Sequence, residues 1–146
     1  MLCSKYEDEI PSKILLGNEE CKFFKVKKNI VLDGIMGLAV GDALGVPVEF
    51  ESRENLRNNP VKGMMGYGTY NQPEGTWSDD TSLTLCLLEA LIEREYKVTS
   101  LANKFVKWYE KAEYTATGKM FDIGRSTYDA INRIISGINA VDAGGK

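Results

Sequence analysis

Four consecutive side chains near the middle of the chain carry oxygen: Ser78, Asp79, Asp80 and Thr81. They follow a glycine-rich stretch and precede an apolar segment of helical period, so they stand at a predicted helix start. One interpretation is helix capping, with Ser78 as the N-cap and two acids complementing the helix dipole. The other is a divalent cation, because adjacent carboxylates repel each other unless a cation lies beside them. The residue types alone leave both open.

A second group of chemically capable residues is GDALG at 41–45, followed by Pro47 and Glu49. The pattern predicts a helix end with Gly45 at the cap and Glu49 in a loop. An acid near a helix C-terminus is unfavourable for the dipole. Asp42 therefore needs a partner: a backbone N–H, a basic side chain or a metal-bound water.

The third group is FDIGRST at 121–127. By itself this segment is typical of a helix entry, with Asp122 or Ser126 as the capping residue. It also places an acid and a glycine, Gly124, in a short loop.

The chain contains no histidine. A Ser-His-Asp triad, a Cys-His pair and every histidine-based metal site are thereby excluded. Chemistry must rely on carboxylates, hydroxyls, lysines or a metal held by oxygen, and such sites favour magnesium, calcium or manganese.

The elements that must position these residues are predicted to be helices, because no segment alternates in the manner of a strand. The predicted class is all-α, with residues 1–28 as an N-terminal extension and 29–146 as one domain. The helices are expected over 30–45 with Asn29 as N-cap, over 52–59, from 78 to about 95, over 100–111 and over about 125–137. Residues 61–77, rich in glycine, form a long irregular loop, which is usually a functional feature.

Apolar stripes mark the faces that these helices should bury. The expected inward residues are Ile30, Leu32, Ile35, Leu38, Ala39 and Ala43; Leu83, Leu87, Leu88, Leu91 and Ile92; Leu101, Phe105, Trp108 and Tyr109; and Tyr128, Ile131, Ile134 and Ile135.

The composition of the chain restricts the classes of molecule that it is expected to bind. The net charge is −3, and lysine and arginine are scattered, which argues against nucleic acid. The longest apolar stretch, residues 30–48, is interrupted by Asp33 and Asp42, and no membrane partner is expected. The three cysteines cannot all pair, so reduced thiols in a cytoplasmic protein are the simplest interpretation.

Taken together, GLAVGDALGVPVEF (37–50), MMGYGTYNQPEGTWSDDTSLTLCLLEAL (64–91) and FDIGRST (121–127) resemble the N-terminal half of the ADP-ribosylglycohydrolases. The resemblance covers about residues 29 to 141. It implies a helical bundle of that family, apparently truncated, around a binuclear magnesium or manganese site. The expected activity is removal of ADP-ribose from a protein side chain or another ADP-ribose conjugate.

The resemblance also implies roles for individual residues. Ser78, Asp79 and Asp80 would be metal ligands. Glu49 would be the family's mobile acid at the metals, and Asp122 and Gly124 would line the ribose pocket. For Asp42 we expect a structural role that orients the helix end.

Two segments of the family pattern have no counterpart here: a late D-x-D-[ST] motif and a glycine-rich N-G-x-G-S-x-M-R segment. A chain with half the ligands is expected to be nearly inactive alone. Its exposed apolar faces would favour a dimer or a complementary C-terminal fragment. The alternative is a non-catalytic family member that acts as a structural or binding module.

Overall fold

The structure, a computed structural model, describes residues 29–145. Within this range the chain forms helices and no strand: α1 (Ile30–Gly45), a 3-10 turn (Val46–Val48), α2 (Arg53–Asn58), α3 (Asp79–Leu91), α4 (Val98–Lys111) and α5 (Arg125–Ile135). The predicted all-α class is confirmed. The predicted N-terminal extension, residues 1–28, lies outside the described residues.

The chain divides into two compact units, residues 1–33 and 34–146. Of the first unit, only the beginning of α1 is described. The side chain of Asn29 accepts a hydrogen bond from the backbone N–H of Leu32 at 3.2 Å, which confirms the predicted N-cap. The other helices and all the candidate site residues belong to the second unit.

Three helices of the second unit share a core. One side chain from each of α3, α4 and α5 is buried at its centre: Cys86, Trp108 and Ile131, none more than 1% exposed. Partly buried side chains pack around them: Leu83, Leu101, Phe105, Val106, Tyr109, Tyr114, Met120 and Ile123. The predicted inner face of α4 is therefore confirmed, and the helices that bracket α4 are fixed against it.

Two of the predicted apolar stripes are wrong at their ends. In α3 the side chains of Leu87 and Leu91 are exposed, and Ile92, at the helix end, is 76% exposed. In α5 the side chains of Tyr128 and Ile135 are exposed. Of the other predicted residues in these two stripes, Ile131 is buried and Leu83, Leu88 and Ile134 are half-buried, because the packed surface of α4 covers only part of each stripe.

Most of the apolar surface of α1 is exposed. Among its predicted inner residues Ala43 is buried, whereas Ile30, Leu32 and Leu38 are exposed, so this stripe was predicted wrongly at those positions. Residues Ile30–Val48 form a 19-residue stretch of mean hydropathy 1.6, the one such stretch in the described part of the chain. By length and composition this stretch could cross a membrane, so the interruptions at Asp33 and Asp42 do not exclude a span. The core helix of a soluble protein meets the same criterion, and the absence of a membrane partner stays a prediction.

Candidate active site

One cavity of about 880 Å³ collects the residues singled out by the sequence. All the predicted site residues line it: Glu49, Ser78, Asp79, Asp80, Asp122 and Gly124. They come from three separate segments: the turn after α1, the beginning of α3 and the loop before α5. Asp42, in the last turn of α1, lines the same cavity.

The carboxylate of Asp42 accepts hydrogen bonds from four groups at the beginning of α3. It accepts bonds from the backbone N–H groups of Ser78 and Thr81, each at 3.0 Å. It also accepts bonds from their hydroxyls, at 2.7 Å from Ser78 and 2.6 Å from Thr81. Asp42 therefore caps α3 from another helix, and its sequence-predicted need for a partner is met by backbone N–H groups and hydroxyls.

Ser78 stands at the N-cap position of α3, but its side chain makes no capping bond to its own helix. Its hydroxyl points instead to Asp42, and only 7% of the residue is exposed. The capping interpretation of this serine was thus right in position and wrong in the group that caps. Asp42 accepts from the backbone N–H groups of Ser78 and Thr81, so these two groups at the helix start do not depend on the carboxylates of Asp79 or Asp80.

Glu49 is held by the long loop 61–77. The hydroxyl of Thr69 donates to the backbone oxygen of Glu49 at 2.7 Å, and the backbone N–H of Thr69 donates to that of Pro47 at 3.0 Å. Gly68 allows this approach, since a Cβ built there would lie 1.8 Å from the Pro47 oxygen. The loop therefore fixes the backbone that carries Glu49.

One residue that lines the cavity and one that adjoins the lining in sequence have left-handed backbone conformations. Phe50, directly after Glu49, has φ 64°, and Asp122 has φ 51°. Aspartate adopts this region more readily than most residues, whereas phenylalanine is strained there. Such strain persists where the surroundings fix the conformation, and it is concentrated at functional sites.

Tyr70 belongs to the site although its type and spacing did not reveal it. Its ring packs between Phe50 and Phe121, with centroids 6.4 and 5.2 Å away. Burial, followed by the neighbouring carboxyl groups of Asp122 and Glu49, raises the pKa of its hydroxyl. The only sequence signal was the length of loop 61–77, which marks a region and not a residue.

Trp77, which precedes the acid cluster, is anchored away from the cavity. Its indole N–H donates to the backbone oxygen of Tyr114 at 3.2 Å. The hydroxyl of Tyr114 donates to Glu89, which lies 3.5 Å from the ammonium of Lys104. Lys104 also pairs with Glu93 at 2.9 Å, so α3 and α4 together hold the segment that leads into Ser78.

The cavity raises the pKa values of two of its carboxyl groups. Burial raises the pKa of Glu49 most; the charge of Asp122 raises it further, while a hydrogen bond from Tyr70 lowers it. Burial likewise raises the pKa of Asp79, followed by the charges of Asp122 and Asp80. None of the ion pairs among residues 29–145 involves a cavity carboxylate. The cavity thus concentrates negative charge with no basic side chain paired to it within the described chain.

The donors at the cavity suit a hard cation in kind, since they are carboxylate and hydroxyl oxygens. The number of these donors among the described residues is too small for a complete metal site. Over residues 29–145, no three His, Cys, Asp or Glu side chains lie close enough together to hold a metal ion. A cation beside Asp79 and Asp80 would therefore need the Ser78 hydroxyl and further oxygen donors, from water, substrate or other chain segments.

Comparison with known proteins gives one consistent result. A family model described as ADP-ribosylglycohydrolase matches residues 25–146. The ADP-ribosylarginine hydrolase Tri1 of Serratia proteamaculans (strain 568) is 38% identical over 102 residues, covering 69% of this chain and 27% of that protein. Tri1 of Pseudomonas putida (strain GB-1) is 37% identical over 98 residues, covering 66% of this chain and 26% of that protein.

A solved structure shows the same fold. The chain matches an ADP-ribosylglycohydrolase-related protein complex with a TM-score of 0.63 and 32% sequence identity, over 78% of this chain and 35% of that one. The chain therefore spans about a quarter of the length of the two Tri1 proteins and about a third of the solved chain.

Proposed function

The chain belongs to the ADP-ribosylglycohydrolase family, and we propose that it forms part of an enzyme that removes ADP-ribose from a protein side chain with the help of magnesium or manganese. The observation that carries this proposal is the single cavity lined by Glu49, Asp79, Asp80 and Asp122. A purely structural role does not require four acids, two of them with raised pKa values, around one space.

In the proposed reaction, water attacks C1″ of the ribose. The bond from C1″ to the side-chain atom breaks, a bond from C1″ to oxygen forms, and the departing side chain takes up a proton. Glu49 is the proposed acceptor of the water proton. Its raised pKa suits this role, because a base works best when its pKa approaches the working pH.

The other cavity residues are proposed to bind and orient. Asp122 would accept a hydrogen bond from a ribose hydroxyl, and Gly124, without a side chain, would let the ribose approach the loop. Ser78, Asp79 and Asp80 would hold the cation. Such an ion supplies charge neutralisation and polarises the oxygens near the reacting carbon.

The proposed substrate class is protein-linked ADP-ribose, and arginine linkages are the first to test, because two relatives are named ADP-ribosylarginine hydrolases. We propose that the complete site is binuclear, and that residues outside 29–145 or a complementary chain supply the remaining ligands. The described residues alone should therefore give little turnover. A cytoplasmic location is part of the same proposal.

The test is release of ADP-ribose from arginine-modified and serine-modified proteins by the full protein that carries this chain. Release should stop on chelation and return with Mg²⁺. It should fall at least about a hundredfold in the double variant Asp79→Asn, Asp80→Asn. Asp129→Asn, which removes an exposed acid of α5 outside the cavity, is the matched control.

Two outcomes would contradict the proposal. Release that is unchanged in the double variant would remove Asp79 and Asp80 from the site. A full protein that binds ADP-ribose but releases none from either substrate would favour the alternative, a non-catalytic binding module.

A further inference from the structure

The hydroxyl of Ser78 lies between two acids. Its oxygen is 2.7 Å from Oδ1 of Asp42 and 3.4 Å from Oδ1 of Asp79. A serine hydroxyl has one proton to donate, and an ionised carboxylate only accepts. Because the shorter contact has the length of a good charge-assisted bond, Asp42 receives the proton.

The Asp42 carboxylate cannot easily turn away from this serine. Three other groups donate to it: the backbone N–H of Ser78 at 3.0 Å, the backbone N–H of Thr81 at 3.0 Å and the Thr81 hydroxyl at 2.6 Å. Thr81 is only 1% exposed, so this side of the arrangement is closed to water. The carboxylate is therefore fixed by the beginning of α3.

We propose that Asp42 is a positioning residue that draws the Ser78 proton away from Asp79 and so leaves the Ser78 oxygen and the Asp79 carboxylate both open to a cation in the cavity. The inference rests on the proposed function, in which Ser78 and Asp79 hold that cation. Without the charge at position 42, the hydroxyl turns toward Asp79. The Ser78 hydroxyl and the Asp79 carboxylate are then hydrogen-bonded to each other, and cation binding weakens.

A role of this kind differs from helix capping in one measurable respect. A cap stabilises α3 whatever the side chain at 78, whereas the proposed effect of Asp42 on a cation passes through the Ser78 hydroxyl. Substitutions at Asp42 and at Ser78 should then have non-additive effects on cation affinity. The probe is Mn²⁺ alone, with binding followed by electron paramagnetic resonance and folding checked by circular dichroism.

Four proteins form the cycle: the wild type, Asp42→Asn, Ser78→Ala and the double variant. Asparagine removes the charge and offers one acceptor oxygen to the four donors around position 42, so the bond from the Ser78 hydroxyl weakens and its proton can turn toward Asp79. Asp42→Asn should weaken Mn²⁺ binding by about tenfold or more. Ser78→Ala should weaken it similarly, and the double variant should bind no more weakly than Ser78→Ala.

The matched control is Thr81→Val, which removes the other hydroxyl that donates to Asp42. It should lower Tm and leave Mn²⁺ affinity within about twofold. If Asp42→Asn does not fold, Asp42→Glu replaces it, because one added methylene displaces the carboxylate from the Ser78 hydroxyl. Its Mn²⁺ binding should then also be weaker, and that loss should disappear when Ser78 is already alanine.

Full additivity of the losses at 42 and 78, or a loss in Thr81→Val equal to that in Asp42→Asn, would overturn the inference and leave Asp42 as a cap only. Equal Mn²⁺ binding by the wild type and Asp42→Asn would also overturn it, with the proposed function intact. A wild type that binds no Mn²⁺ would instead contradict the proposed function, and the inference would fall with it.

Discussion

At the scale of residues, the cavity concentrates carboxylates in addition to Asp42, the one that caps α3. Burial and the charges of Asp122 and Asp80 raise the pKa of Asp79, so its proton is held more tightly in the folded chain than in the unfolded one. Stability from such a group is fully present below the unfolded pKa and is lost as pH rises through the folded pKa. At neutral pH the ionised Asp79 therefore destabilises the chain, which a purely structural acid would not do.

We accordingly expect Asp79→Asn to raise Tm at pH 7, without divalent cations, by about 2–4 °C. The gain should shrink as pH falls through the raised pKa and vanish below the ordinary aspartate value of 3.8. Differential scanning calorimetry between pH 3.5 and 7 measures this, and Asp129→Asn, an exposed acid elsewhere, should change Tm little. A variant less stable than the wild type at pH 7 would show that Asp79 has a favourable partner in the fold.

The residue types of the site could be predicted from the sequence, but two of its contacts could not. The absence of histidine and the adjacent acids pointed to oxygen chemistry at Ser78 to Asp80. The bonds of Asp42 to Ser78 and Thr81 join residues 36 and 39 positions apart, and no local spacing encodes them. Tyr70 contributes through its packing between Phe50 and Phe121, and a single tyrosine in a long loop carries no such signal.

At the scale of elements, the helices followed from periodicity, while their ends and exposed faces depended on neighbours. Helix α3 was expected to run to about residue 95 and ends at Leu91, where Glu93 pairs with Lys104 of α4. Helix α4 begins at Val98, two residues before the predicted start. Local sequence determines that a helix forms, whereas the packing around α4 determines how much of each stripe is buried.

The loop 61–77 acts as an element in its own right, because it fastens the segment that carries Glu49. We expect Gly68→Ala to destabilise the protein by about 1–3 kcal/mol, since its Cβ would meet backbone atoms of Pro47 at 1.8 to 2.6 Å. Gly63→Ala is the matched control, with no atom within 4 Å of the added carbon.

Hydrogen exchange measures the local effect of Gly68→Ala on the backbone. The amide of Thr69, which donates to the Pro47 oxygen, should exchange faster in Gly68→Ala and at the wild-type rate in Gly63→Ala. Equal exchange in both variants would mean that the loop is not fastened at this point.

At the scale of the whole molecule, apolar surface is left exposed. Exposed apolar side chains occur on α1 and near the ends of α3 and α5, among them Met36, Val40, Leu91, Ile92 and Ile135. Soluble monomers rarely expose large contiguous apolar patches, so such surface marks places that another molecule or segment covers. In these relatives, which are more than twice as long as this chain, there is much additional chain to do so.

For the 146-residue chain by itself, we expect self-association through α1. Met36 and Val40 stand one helical turn apart and are 55% and 45% exposed. Changing both to lysine should weaken self-association at least about tenfold, because each loses an apolar contact worth roughly 1.5–3 kcal/mol and adds a charge. Sedimentation equilibrium over a range of concentrations measures the change.

Ile92→Lys, a similar change at the end of α3, should leave the association constant within about twofold if α1 forms the contact. Equal weakening by Ile92→Lys would assign the contact to a broader surface, and a wild-type chain that stays monomeric would show that α1 needs no cover.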